Sequence, residues 1–229
     1  QGLVDLTVNS IGELNAMALF GKTSFKYFFV DASVSLNKGL KAGPIEFNGF
    51  VGGVSYKMNV EPNEGPPNLN IDLSVLPPIG QSFSGNTYSP NPDFGLGLRA
   101  GLKMQLTANK DAFNGIVAFE MLFNSENNGG GLAKIALDGK GQFMNNQPVT
   151  GPAKQDETKP PTGMSPGLLV HVRFQYDFNV STFSGLMAAY LKVGSLSGVG
   201  PQNKMVDAHI LVSPQKWYFH FGTPQSPCG

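Results

Sequence analysis

The side chains best able to do chemistry are few, and their spacing assembles no reaction by itself. His171, His209 and His220 are the chain's three histidines, and only their convergence in space would supply the three nitrogen ligands of a catalytic zinc. Each lies on the polar side of an alternating stretch, so each reads as a histidine on the wet face of a strand, and no metal is expected. Asp72, Asp138, Asp156 and Asp177 sit beside loops or strands without the alternating oxygen spacing of a calcium hand. A glycosidase pair of carboxylates could meet across strands, which only a fold can show. Thr182-Phe183-Ser184-Gly185 lacks the Gly-x-Ser-x-Gly elbow that presents a nucleophilic serine. Cys228 is the single cysteine; it has no partner for an intrachain disulfide and no histidine-rich setting to activate it, which leaves an idle thiol or a bond to another chain. Asn179-Val180-Ser181 matches a glycan-acceptor triplet but falls within the best strand pattern. Tyr88, Trp217 and Tyr218 would contact sugar if they shared a concave surface. Lys216-Trp217-Tyr218 alone is no stacking platform for single-stranded nucleic acid. The expectation is a protein with no catalytic residue and no cofactor.

Composition narrows the class further. Sixteen basic residues balance sixteen acidic ones, so nothing concentrates a polyanion and nucleic acid is not an expected partner. Charged residues make up 14% of the chain, against roughly 25% in soluble domains. Asn, Ser, Thr and Gln must cover much of the surface, as in extracellular β-proteins. A chain of 229 residues can bury a core without metals or disulfides. No apolar run approaches the ~18 residues of a membrane helix, and a leader could have been removed.

The elements that would position these side chains are strands. Across Gly167 to Val180, Val170, Val172, Phe174, Tyr176, Phe178 and Val180 fall on one face, with His171, Arg173, Gln175, Asp177 and Asn179 on the other. That period of two suits a pleated strand and no helix. The pattern predicts an antiparallel sheet packed on its apolar side and wet on its polar side. Phe94 to Thr107 repeats it, with Phe94, Leu96, Leu98, Ala100, Leu102, Met104 and Leu106 expected inward and Gly95, Gly97, Arg99, Gly101 and Lys103 outward. Gly49, Gly52 and Gly53 within Ile45 to Met58 imply a bulge, a bend or the close approach of another backbone. Leu14 to Phe20 and Phe183 to Val193 fit either a helix or a strand, and their neighbours decide for strand. Asn37 to Pro44 reads as a connection, Asp138-Gly139-Lys140-Gly141 as a turn or bulge, and Asn124 to Gly131 as a hairpin loop. Val60 to Asp93, rich in proline, reads as an excursion laid across one end of the sheet. The predicted fold is a single all-β domain over 1–229, or a piece of a longer chain. It is an antiparallel sheet of about ten to twelve strands, a sandwich or extended barrel-like sheet, with two long loops. The second loop, 145–165, is exposed or a linker.

The glycine-rich strands Ile45 to Met58 and Phe94 to Leu106, and Lys216 to Pro224 with its Tyr-Phe-His-Phe-Gly-Thr-Pro ending, resemble very large secreted or surface-associated β-rich proteins of the Bacteroidota. The resemblance implies export and a structural, adhesive or envelope role. The leading expectation is therefore a noncatalytic structural or adhesive domain, extracellular or at the cell surface. It would work through its sheet edges on copies of itself or on further chains. A carbohydrate-binding sandwich, with a glycan as partner, and a viral capsid or spike jelly roll are alternatives. So is an outer-membrane barrel, which would associate with a membrane; against it stand patchy girdle aromatics and loops that do not divide into short and long series.

Overall fold

The computed structural model of the chain describes residues 2–8, 12–62, 78–82, 86–109, 112–144, 167–200, 203–223 and 226–227. The expected loop or linker at 145–165, the alternation over 69–73, Asp72, Asp156 and Cys228 lie outside the described residues. Fifteen strands follow one another: β1 (Gly2–Val8), β2 (Gly12–Lys22), β3 (Lys26–Ala42), β4 (Ile45–Tyr56), β5 (Met58–Pro62), β6 (Asn86–Pro90), β7 (Phe94–Leu106), β8 (Phe113–Asn124), β9 (Leu132–Phe143), β10 (Gly167–Asp177), β11 (Thr182–Val193), β12 (Leu196–Ser197), β13 (Lys204–Val212), β14 (Trp217–Thr223) and β15 (Ser226–Pro227). No α-helix occurs among the described residues, so both ambiguous segments resolve as strands, β2 and β11. The period-two pattern outweighs the partial helical stripe because each segment has a strand to pair with on both sides.

Thirteen strands form one antiparallel sheet in the order β1-β2-β3-β4-β7-β8-β9-β10-β11-β13-β14-β15, with β12 beside β11. Eleven of them have seven residues or more, in agreement with the expected ten to twelve. Each long strand pairs with its neighbour in sequence, the meander that short turns produce. β1 does not pair with β14 or β15, so the sheet is an open wall and not a closed barrel. An expected connection and an expected turn or bulge are strand instead. β3 continues through 37–42 after a register shift between Ser35 and Leu40, and β9 runs unbroken through Asp138-Gly139-Lys140-Gly141. In both places cross-strand hydrogen bonds override turn-like composition. The strand expected to reach Val180 ends at Asp177.

The sidedness is the reverse of the expectation. Register carries Met17, Asp31, Gly53, Arg99, Glu120, Ala136, Asp138, His171 and Arg173 to one face, and this face is the buried one: His171 is 0%, Asp31 2% and Asp138 3% exposed. The other face carries Phe50, Leu96, Leu98, Leu102, Val117, Phe119, Leu137, Phe174 and Met187, all exposed. Two features explain the inversion. Opposite charges on adjacent or next-but-one strands stand near matched heights and neutralise one another, which makes their burial tolerable. The second layer, moreover, lies over the polar face. That layer is the hairpin β5–β6, which leaves the wall at Lys57 and rejoins it at Asn91, tied by Lys57 N–H to Gly95 O at 2.8 Å and Asn91 N–H to Lys57 O at 2.9 Å. Its Tyr88 stacks on Phe29 of β3 with ring centroids 4.4 Å apart. Both pack with Met17, Leu19 and Met58 in the main apolar cluster. Such a pair adds about 1 kcal/mol beyond its buried area. The described part of the excursion, the hairpin, therefore covers the inner face next to the end of the sheet where Phe20, Phe28 and Tyr56 stand.

Candidate functional site

Under the hairpin, an alternating ladder of charge crosses the inner face from β3 to β10. Asp31 faces Arg99 across β4, with Oδ1 and Nη1 3.7 Å apart. Arg99 Nε donates to Glu120 Oε1 at 3.1 Å, and Arg173 Nη2 donates to Glu120 Oε2 at 3.0 Å, so one carboxylate joins two guanidiniums. Arg173 Nη1 reaches on to Asp138 Oδ2 at 3.3 Å. Asp138 also meets His171 Nε2 at 3.0 Å and Lys140 Nζ at 3.9 Å. Asp31, Glu120 and Asp138 thus face Arg99, Arg173 and Lys140, three carboxylates against three cations. The hairpin joins this system through Asn86, whose Nδ2 donates to Glu120 Oε1 at 2.8 Å. Asn86 and Tyr88, two residues apart on β6, therefore grip the wall by a polar and an aromatic contact.

Local sequence makes the ladder possible. Gly53 is the cross-strand partner of both Asp31 and Arg99, and a Cβ there would sit 3.0 Å from Asp31 Oδ1. Its missing side chain is the gap through which the two charges meet. Gly97 does the same one step along, where a Cβ would collide with Ser55 Oγ. Gly53 and Gly97 serve close side-chain approach on the inner face, a role the sequence reading did not name; the bulge it did name is a register shift between Phe47 and Gly49.

Electrostatics follow from burial and pairing. Burial alone would raise the Asp138 pKa, but the His171 hydrogen bond and the charges of Lys140 and Arg173 prevail and hold it at about 2. Burial lowers the Lys140 pKa, opposed chiefly by Asp138. Burial also pushes the Tyr88 hydroxyl well above the usual phenol range. With Asp138 ionised, His171 donates from Nε2, and its Nδ1 finds no hydrogen-bond partner among the described residues. The space left between Tyr88, Val60, Arg99, Glu120, Arg173 and Gln175 is a cavity of about 30 Å³, room for a water or two and not for a substrate.

The residues singled out in the sequence do not converge. His171 is buried in the ladder. His209 pairs with His220 across β13 and β14 and bonds Asp207 Oδ1 at 3.0 Å. All three histidines share the polar face, but His171 is separated from His209 by β11, and no group of three or more metal-ligating side chains forms among the described residues. Tyr88 is buried against Phe29, while Trp217 and Tyr218 are successive residues of β14 and point to opposite faces. The three aromatics therefore share no concave surface. Asn179 lies in the turn after β10, where its amide exchanges hydrogen bonds with that of Asn124 at 2.8 and 3.0 Å. Arg99, Glu120, Asp138, Lys140 and Arg173 were missed as a group because only register joins them. A readable signal was the scarcity of charge on one side of the long strands while Asp31, Arg99, Glu120, Asp138, Lys140 and Arg173 all fall on the other.

Aromatic residues gather at one rim of the outer face. Phe20, Phe28 and Tyr56 are successive cross-strand partners with ring spacings of 5.9 and 6.0 Å, and Tyr176, Phe183 and Trp217 stand at the same end of their strands. At the opposite rim Phe113 contacts Phe143 at 4.8 Å. Lys22 and Lys26 face outward at the first rim; elsewhere the outward positions of β2 to β14 carry no charge except Lys38, on the Leu36 and Leu40 side of β3 where its register with β4 shifts. No helix of the described residues is long and apolar enough to cross a membrane, which bears on helices alone. No protein-family model, curated protein or solved structure matches the chain.

Proposed function

We propose that the chain forms the wall of an outer-membrane-type β-barrel, a noncatalytic envelope component whose apolar face meets lipid and whose charged inner face is closed off by the β5–β6 hairpin. The observation that carries this reading is the inverted sidedness: an apolar, exposed outer face spanning ten strands with charge only at Lys22, Lys26 and Lys38, opposite a buried ladder of paired charges. In water that arrangement would leave a very large apolar patch bare; in a bilayer it is the expected one. The dimensions agree. Strands of 11 to 13 residues rising ~3.3 Å per residue at a tilt of ~40° span ~28–33 Å, enough to cross the apolar band of about 25 Å in such barrels. Aromatics at both rims and the outward Lys22 and Lys26 fit the interfacial zones.

A charge placed mid-band tests the proposal. Leu98→Arg, on the outer face of β7, is expected to weaken folding into lipid vesicles by about 2–4 kcal/mol, and Phe20→Arg at the rim by about 1 kcal/mol or less. The readout is the urea midpoint of the vesicle-bound protein. A protein that folds in buffer without lipid, and is made more soluble and no less stable by Leu98→Arg, would sink the reading.

A further inference from the structure

We infer that a cleft at the aromatic rim of the outer face holds the phosphoethanolamine head group of a phospholipid whose acyl chains lie on the apolar band; this rests on the membrane-wall reading. The cleft, of about 520 Å³, opens between Lys57, the residue that leaves β4, and the turn joining β8 to β9. That is the size of a small-molecule site. Its floor is Tyr56, Leu96 and Phe123. Tyr56 and Leu96 are cross-strand partners, both exposed on the outer face. Phe123 follows the buried, inward Leu122 on β8 and so points outward with them.

Above this floor the cleft carries one cation and one anion. Lys57 has φ 52°, a left-handed backbone that strains any residue with a Cβ and suits glycine. Its Nζ stands 5.6 Å from the Tyr56 ring centre and 5.8 Å from that of Phe25, so two rings hold the ammonium at the rim. Glu126 is exposed on the turn side, and neither charge has an ion-pair partner among the described residues. Beside Glu126, Ser125 is 7% exposed and also lines the cleft. Its backbone is fixed by three hydrogen bonds: its N–H donates to Asp93 O, and its carbonyl accepts from the N–H groups of Asn128 and Gly130. Only its Oγ is left without a partner. A buried, unpaired hydroxyl is a cost that a ligand removes, and rotation about its one side-chain bond lets it meet that ligand. Together these groups fit one chemistry. Phosphate oxygens accept from Lys57 Nζ and Ser125 Oγ, a primary ammonium donates to Glu126, and the first methylenes of the chains lie on Tyr56, Leu96 and Phe123. Opposite charges set over an apolar floor favour a zwitterionic head group over an anionic one. The aromatic rim is also the depth at which head groups lie.

Amide NMR of the 229-residue chain folded in dodecyl-maltoside micelles tests the site. Dihexanoyl phosphatidylethanolamine is expected to shift Lys57, Ser125 and Glu126 saturably, while Phe119 in mid-band drifts only with the bulk partitioning of lipid into the micelle. Lys57→Gly relieves the strained φ, so the urea midpoint should hold or rise. The same variant should bind the ethanolamine lipid about tenfold or more weakly. Glu126→Gln should weaken that lipid about threefold and leave dihexanoyl phosphatidylglycerol, which has no ammonium, bound no less well. Saturable shifts at Phe119 equal to those at the cleft, unchanged affinity in either variant, or equal weakening of both lipids by Glu126→Gln would each overturn the assignment. So would phosphoethanolamine without acyl chains binding as tightly as the lipid, since the ligand would then be a soluble phosphate. Vesicle insertion of the unmodified chain is measured alongside: insertion without localised shifts refutes the cleft only, and localised binding by a chain that stays out of vesicles refutes the membrane reading only.

Discussion

Glu120 accepts from Arg99, Arg173 and Asn86, and its carboxylate is the one group that all three share. Glu120→Ala is expected to cost about 3–5 kcal/mol, because it leaves two buried guanidiniums short of their common counter-charge. Replacing Asp31, Arg99, Glu120 and Arg173 together by Asn, Met, Leu and Met should cost far less than the single change, since charge is removed in balanced pairs and Asp138 keeps Lys140 and His171; denaturation midpoints in micelles compare the two. Asp138 adds a pH dependence. Its carboxyl is held at about 2 in the folded chain against about 3.9 when unfolded. Its contribution is therefore complete above pH ~4, shrinks as pH falls from ~4 towards ~2, and is gone below. The linked stability is about 2 kcal/mol. Asp138→Asn should flatten the stability curve in that window; an unchanged slope would contradict the assignment. None of this could be read from the sequence. Asp138-Gly139-Lys140-Gly141 has the composition of a turn, and only the pairing of β9 with β8 and β10 shows that its two charges point inward.

At the scale of elements, β4 is thin where the ladder must cross it. Gly53→Ala places a methyl against Asp31 and the Val30 carbonyl, and is expected to destabilise by about 1–3 kcal/mol. Gly52→Ala, one residue away on the outer face with only an ordinary 3.5 Å contact to the Arg99 carbonyl, should be near neutral. Similar costs at both glycines would mean that backbone freedom, and not the Asp31–Arg99 contact, explains Gly53. The strands themselves were legible. Val170 to Tyr176 and Leu96 to Leu106 alternate so regularly that helix is excluded, and β2 and β11 follow from their neighbours. The hairpin β5–β6 was not legible as a cover, because its grip depends on Tyr88 and Asn86 meeting β3 and β8, far away in sequence.

For the whole molecule, what the sequence hides is which face is inside. A period of two sorts residues into two sets without saying which solvent each set meets; the rule that apolar means inward assumes water outside. The pairing of Arg99 with Glu120 and of Arg173 with Asp138 settles which face is buried, and the account places lipid against the other. Trp217, the only tryptophan, stands 78% exposed at the aromatic rim. It can report depth directly in vesicles containing brominated lipids. Trp217 emission is expected to be quenched best by bromines near the head-group end of the acyl chain, and a tryptophan moved to mid-band by Trp217→Phe with Phe119→Trp should be quenched best by bromines near the bilayer centre. Both tryptophans quenched freely by aqueous iodide and by no brominated lipid would contradict the account.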